Sequence, residues 1–188
     1  MSEAVSALPG AKNEGEVAVE EAGLRGMVTL RGDLDSEAIA LALKDATGLP
    51  VPAQRQIVGG DGRAVAWMSP DELLIMVPHP EAPGIVGRLS AALSGEHHLA
   101  LDVSDARAVF SIHGKGAREV LAKGAPVDLS PAGFARGEVR RTRVGQIAAA
   151  FWLVDEDHFE LVCFRSVAGF MFEWLKTAAL PGSLPEYF

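Results

Sequence analysis

Basic charge, cysteine and long apolar runs are all scarce in this 188-residue sequence. Seventeen lysines and arginines stand against twenty-five aspartates and glutamates, a formal net charge of -8. A surface of that sign repels phosphate backbones and anionic headgroups, which argues against nucleic acid or a membrane as partner. Cys163 is the single cysteine, so no internal disulfide can form, as expected in a reducing compartment. It lies in the apolar run 159–164 and reads as a small buried hydrophobe. No apolar run approaches the roughly 20 residues that a membrane-spanning helix needs. The opening MSEAVSALPGAKNEGEVAVEEAG has neither the basic start nor the apolar core of a secretory leader. The expected location is the cytoplasm.

What is present is an ordinary globular composition, 48% hydrophobic and 22% charged, over a length that suits one domain with a real core. Residues 1–22 are small, acidic and punctuated by Gly and Pro, which predicts a flexible arm ahead of a single domain over 23–188. From Gly26 the pattern reads strand (27–31), helix (Ile39, Ala42, Leu43 and Ala46 on one face, stopped by Gly48 and Pro50), strands 63–68 and 72–77, then helix 81–93. From Leu99 the order nearly recurs: strands at LALDVS and ARAVFSIHG, a helix in KGAREVLAKG, strands 138–144, 146–154 and 158–164, and a last helix 166–179. The fold class is therefore α+β, with two related halves, about 24–95 and 99–180, of antiparallel strands with packed helices. WMSPDELLIMVP (67–78) is apolar on both faces of its strands, so the sheet it enters should be covered on both faces.

Residues with chemical potential are present but do not assemble into a catalytic or metal-binding pattern. His79, His97, His98, His113 and His158 include no i, i+4 pair and no zinc-protease motif, and one cysteine cannot build a structural zinc site. The glycine-rich turn in VFSIHGKGAREVL lacks the third glycine of a dinucleotide fingerprint and the Gly-Lys-Ser/Thr of a triphosphate loop. It reads as a tight turn. Asp102, Ser104 and Asp105 read as a turn bonded to nearby amides rather than as a nucleophile site. Asp71 and Glu72, at a hairpin tip, are expected to be solvated. The expectation is no catalytic, cofactor-binding or metal-ligating residue. ARGEVRRTRVG concentrates positive charge in an acidic chain: Arg141 and Arg143 share one strand face and Arg140 the other. They either guard an edge strand or dock an acidic partner.

Four segments, GMVTLRGD (26–33), AVAWMSPDELLIMVP (64–78), LDVSDARAVFSIHGKGAREVLAKGAPVDLSP (101–131) and FELVCFRSVAGFMFEWLKTA (159–178), keep an order and spacing that resemble the gamma subunits of heterotetrameric sarcosine oxidases. The resemblance implies a fold like the folate-binding domain of aminomethyltransferases. It also implies alpha, beta and delta subunits as partners in a complex that oxidatively demethylates sarcosine to glycine and passes the one-carbon unit to tetrahydrofolate. FAD, FMN, NAD, tetrahydrofolate and zinc would then lie on other subunits, leaving this chain a noncatalytic interaction subunit. The alternative is a stand-alone folate-binding or aminomethyltransferase-like protein.

Within the last helix, Val167, Phe170, Met171, Trp174, Leu175 and Ala178 are read as the core face. Phe172 falls off that stripe, beside Ala168, and is the fourth candidate partner contact together with Arg140, Arg141 and Arg143.

Overall fold

The computed structural model describes residues 3–60 and 62–188. The chain divides into two compact units, Met1–Gly23 with Asp105–Phe188, and Leu24–Ser104. One unit is thus discontinuous and the other is inserted into it. The expected arm is the first correction. Met1 and Ser2 lie outside the described residues, but Lys12–Asn13 (β1) and Ala18–Glu21 (β2) form strands of the discontinuous unit. The reason is burial: Val17 and Val19 alternate with Glu16, Ala18 and Glu20, and both valines are wholly buried in that unit's core.

The inserted unit contains β3 (Gly26–Arg31), α1 (Glu37–Thr47), β4 (Ile57–Gly60), β5 (Arg63–Ser69), β6 (Glu72–Val77), α2 (Ala82–Ala92) and β7 (Leu99–Asp102). Its sheet runs β4-β5-β6-β3-β7, antiparallel throughout. Helix α1 ends at Gly48, whose φ of 79° supplies the left-handed cap and whose N–H donates to the Lys44 carbonyl at 2.8 Å. Val28 and Leu30 of β3 and Leu73, Ile75 and Val77 of β6 face Ile39 and Leu43 of α1 and Ile85 and Leu89 of α2. The opposite face carries Met27, Ala66, Met68, Leu74 and Met76, all buried as well. All six residues of β6 are buried, as its two-sided apolar pattern requires.

The discontinuous unit continues with β8 (Arg107–His113), α3 (Ala117–Ala122), β9 (Val139–Val144), β10 (Ile147–Asp155), β11 (His158–Phe164) and α4 (Ala168–Ala178). Its sheet runs β1-β2-β8-β11-β10-β9, again antiparallel. Read from the other edge, β9-β10-β11-β8-β2 repeats β4-β5-β6-β3-β7, a split β-α-β arrangement used twice. The place that β7 fills in the inserted unit is filled by β2, from before the insertion. The strand at 99–102 therefore belongs with the first half, and the expected 24–95 and 99–180 boundaries shift accordingly. Local pattern identifies a strand but not the ladder it joins.

The core of the discontinuous unit joins Phe110, Phe151, Phe159 and Leu161 of the sheet to Val120 and Leu121 of α3 and Met171 and Leu175 of α4. Phe134, from the loop after α3, completes a ring cluster, 5.7 Å from Phe151 and 5.8 Å from Phe159 between centroids. The buried face of α4 is Ala168, Met171, Leu175 and Ala178, with Phe172 packed against it. Phe172 is half-buried and stacks on Phe110 at 6.4 Å and 25°, so part of its ring belongs to the edge of this core. Phe170 is the exposed ring, at 58%. The stripe was displaced because Ala168 is pressed against the sheet by its small size, and Phe172 follows it at i+4. Phe172→Ala is therefore expected to cost about 2 kcal/mol of unfolding stability, and Phe170→Ala less than about 0.5 kcal/mol, in urea titrations of the isolated chain.

Candidate functional site

Strand β8 enters α3 through Gly114, where the backbone itself requires glycine, and Gly116, which packs against side-chain ends. A Cβ on Gly114, whose φ is 133°, would lie 2.3 Å from the Glu16 carbonyl oxygen, and one on Gly116 would lie 2.3 Å from Leu184 Cδ1. The glycine-rich turn is thus accounted for by close packing. From α3 three charged residues reach in different directions. Arg118 Nη1 donates to the carbonyls of Leu129 (2.9 Å) and Phe134 (3.0 Å), fixing the loop that carries the aromatic cluster. The Glu119 carboxylate accepts the N–H groups of Glu186 (2.8 Å), Tyr187 and Phe188 (3.1 Å). Lys123 Nζ donates to the Ala178 carbonyl at 2.6 Å and to Ser183 Oγ at 2.9 Å, closing the end of α4.

Two cavities flank this cluster. One of about 500 Å³ is lined by Lys123, Phe170, Glu173, Trp174, Thr177 and Ala178. The other, of about 290 Å³, lies among Glu119, Ala122, Lys123, Pro185, Tyr187 and Phe188. Their charged groups are already in use: Lys123 and Glu119 as above, and Glu173 by Lys176 at 3.1 Å. Burial pushes the Glu119 carboxyl up, but the amides of Phe188, Glu186 and Tyr187, with Lys123, outweigh it and hold the group below its ordinary 4.5. Sequence reasoning missed this anchor. Glu119 and Lys123 look like a helical i, i+4 pair, and nothing in EVLAK signals that one partner is a backbone segment some 67 residues away.

The arginine strand β9 is the outer strand of its sheet. Arg140 is half-buried, with its guanidinium 5.2 Å from the Phe134 ring and 3.2 Å from Glu138 Oε1. Arg141 and Arg143 are exposed and stand on the other face, opposite Ala150 and Ala148. The structure thus separates Arg140 from the other two and places Phe172 on a different element.

Ser104 Oγ and N–H both donate to Asp102 Oδ1, at 2.5 and 2.9 Å, and Met27 N–H donates to Ser104 Oγ at 2.9 Å, the turn read from sequence. Glu72 differs from expectation: it is buried, and Arg31 Nη2 sits between its carboxylate (3.4 Å) and that of Asp71 (3.5 Å). Ser111 Oγ lies 2.8 Å from His158 Nε2, a pair no spacing rule could find because β8 and β11 meet only in the sheet. Burial pushes the His158 imidazole below 6.5, and neither cavity reaches it. Burial likewise pushes the Cys163 thiol up to about 12, leaving it protonated and unreactive. Among the described residues no group of three or more His, Cys, Asp or Glu could hold a metal.

The sarcosine oxidase gamma subunit family model matches residues 31–180. The chain belongs to this family. Sarcosine oxidase subunit gamma of an Arthrobacter species is 35% identical over 131 residues, 70% of this chain and 63% of that protein. This chain therefore spans less than two thirds of that relative's length. Sarcosine oxidase subunit gamma of Corynebacterium sp. strain P-1 is 32% identical over 166 residues, 87% of this chain and 80% of that protein. Among solved structures, a chain of the heterotetrameric sarcosine oxidase from Corynebacterium sp. U-96 superposes with a TM-score of 0.83 at 29% identity, covering 94% of this chain and 91% of that one. Aminomethyltransferase T from Bartonella henselae, at 14% identity and a TM-score of 0.61 over 84% of this chain and 44% of that one, shows the shared fold alone.

Because the folded-state pKa of Glu119 is depressed, its stabilisation is complete above the ordinary value of 4.5 and is lost as pH falls from there through the folded value. The amide resonances of Glu186, Tyr187 and Phe188 should hold their positions from neutrality to that point and move together below it. At neutral pH, Glu119→Gln should speed hydrogen exchange of these three amides about tenfold, leaving β11 amides unchanged.

Proposed function

We propose that this chain is a noncatalytic gamma subunit of a heterotetrameric sarcosine oxidase, assembled in the cytoplasm with alpha, beta and delta subunits. In this reading the complex oxidatively demethylates sarcosine to glycine, and FAD, FMN, NAD, tetrahydrofolate and zinc belong to the other subunits. The observation that carries it is the likeness, over 94% of the chain, to a chain of a heterotetrameric sarcosine oxidase. No described helix is long and apolar enough to cross a membrane.

The disposition of buried charge supports the same reading. A folate held by this chain would need a buried acceptor for the amino and ring N–H groups of its pterin. Among the described residues the buried carboxylates are Glu21, Glu72 and Glu119. Glu21 accepts from Ser6 Oγ at 2.8 Å and from Gly23 N–H at 3.2 Å, Glu72 meets Arg31, and Glu119 holds residues 186–188. All three are engaged by the chain itself, which supports placing the folate on another subunit.

Purified alone, the chain is expected to be colourless, to take up no tetrahydrofolate in a calorimetric titration, and to release no peroxide with sarcosine. Co-expressed with the other subunits, it should copurify with an active oxidase. A yellow, active isolated chain, or tight folate binding, would sink this reading. Arg141 and Arg143, exposed on β9, would steer assembly: reversing both to Glu should slow association and reduce its sensitivity to salt, with folding unchanged.

A further inference from the structure

The two sheets share one topology but treat one edge differently. In the discontinuous unit, β2 occupies the place that β7 occupies in the inserted unit, and its outer edge is covered by β1, with Lys12 opposite Glu20 and Asn13 opposite Val19. Among the described residues, the equivalent edge of β7 has no strand beside it. The other outer strands are protected: β1 is two residues long, β9 carries three arginines, and β4 ends in Gly59-Gly60. By contrast β7 reads Leu-Ala-Leu-Asp, with no proline, no lysine or arginine, and an unbroken register against β3. Leu99 and Leu101 share one face and are 48% and 51% exposed. An edge that is both open and apolar is a template for a further strand.

We propose that β7 is a docking edge that receives an extended segment of another sarcosine oxidase subunit as an added antiparallel strand, in the manner in which β1 covers β2. The segment would place apolar side chains at alternate positions against Leu99 and Leu101 and basic residues beyond its ends, because exposed Glu96 and Asp102 flank the edge. A second copy of this chain fits poorly: antiparallel pairing of two β7 strands sets acidic ends against acidic ends, between chains of formal charge -8. The inference rests on the reading of the chain as an oxidase subunit, and the experiment separates the two.

The full chain and its Leu99→Lys/Leu101→Lys variant are titrated against the assembly of the remaining oxidase subunits, and amide exchange is recorded across 99–102 in the wild-type complex. The expected results are at least about tenfold weaker binding by the variant, with its circular dichroism unchanged, and slowed exchange at these amides on assembly. Equal binding by a folded variant, or exchange across 99–102 unaffected by assembly, overturns the docking edge while leaving the functional reading intact. Should the variant misfold, the exchange measurement on the wild type decides alone. A wild-type chain that binds no oxidase subunit overturns both. Wild-type chains that dimerise alone, with the variant monomeric, would assign the edge to a second copy and overturn the proposal.

Discussion

The ladder between β2 and β8 is the constraint on which the discontinuous unit depends. It pairs Ala18 with His113 and Glu21 with Phe110, so residues on either side of the whole inserted unit must meet before the sheet is complete. Val17 and Val19 then enter the same core as Phe110 and Ile112. Loop-closure entropy grows only slowly with length, so an insertion of this size is tolerable once the ladder and its core contacts form. The cost falls on folding rate rather than on stability, because the contacts that reward closure are long-range. The inserted unit bears no such burden: its strands and both its helices lie within Leu24–Ser104.

A second dependence runs through α3, which at six residues is too short to be stable by its own hydrogen bonding. It is held instead by what it holds. Val120 and Leu121 bury in the core, Arg118 fixes the loop whose Phe134 joins Phe151 and Phe159, and Lys123 meets the carbonyl end of α4. Trp174 of α4 then lies where Gly124 and Gly145 leave room: a Cβ on Gly124 would be 2.4 Å from its ring. The small residues after α3 and between β9 and β10 are thus matched to one large side chain, and Gly145 N–H donates to Gly124 O at 3.0 Å beneath it.

The α+β class, the antiparallel hairpins and the repeated order were legible because their signals are local. Ile39, Ala42, Leu43 and Ala46 keep helical spacing, and ELLIMV is apolar at every position but its first. What was not legible is pairing across distance. Residues 18–21 offer only a brief alternation with charges in it, IVGG at 57–60 ends in glycines that weaken any strand signal, and LALD announces a strand without naming β3 as its neighbour. On α4 the error had another source. With Phe170, Met171, Phe172 and Trp174 nearly consecutive, the apolar arc is wider than the face that packs, and the small Ala168 marks the side pressed to the sheet. Among the candidate contacts, Arg140 could not be separated from a solvent-facing role without knowing that Phe134 folds beneath it.

Buried charge is costly unless it is paired, so where a fold retains it there is reason to ask what it does. In an enzyme such groups are often set aside with perturbed affinities for a substrate or a proton. Here, among the described residues, each buried carboxylate terminates on the chain's own backbone or on a neighbouring side chain: Glu21 at Gly23, where the chain passes from one unit to the other, Glu72 at Arg31 between adjacent strands, and Glu119 at residues 186–188. At Glu72 and Glu119 segments distant in sequence are kept in register, and a hydrogen-bonded carboxylate specifies position more sharply than an apolar contact does. A chain that invests its buried charges in this way holds its surface in a fixed form. A fixed surface lowers the conformational cost of binding, because less ordering remains to be done when a partner arrives. The fold itself is shared with an aminomethyltransferase, and a shared fold carries no role with it: that is set by the groups placed on the sheets and helices.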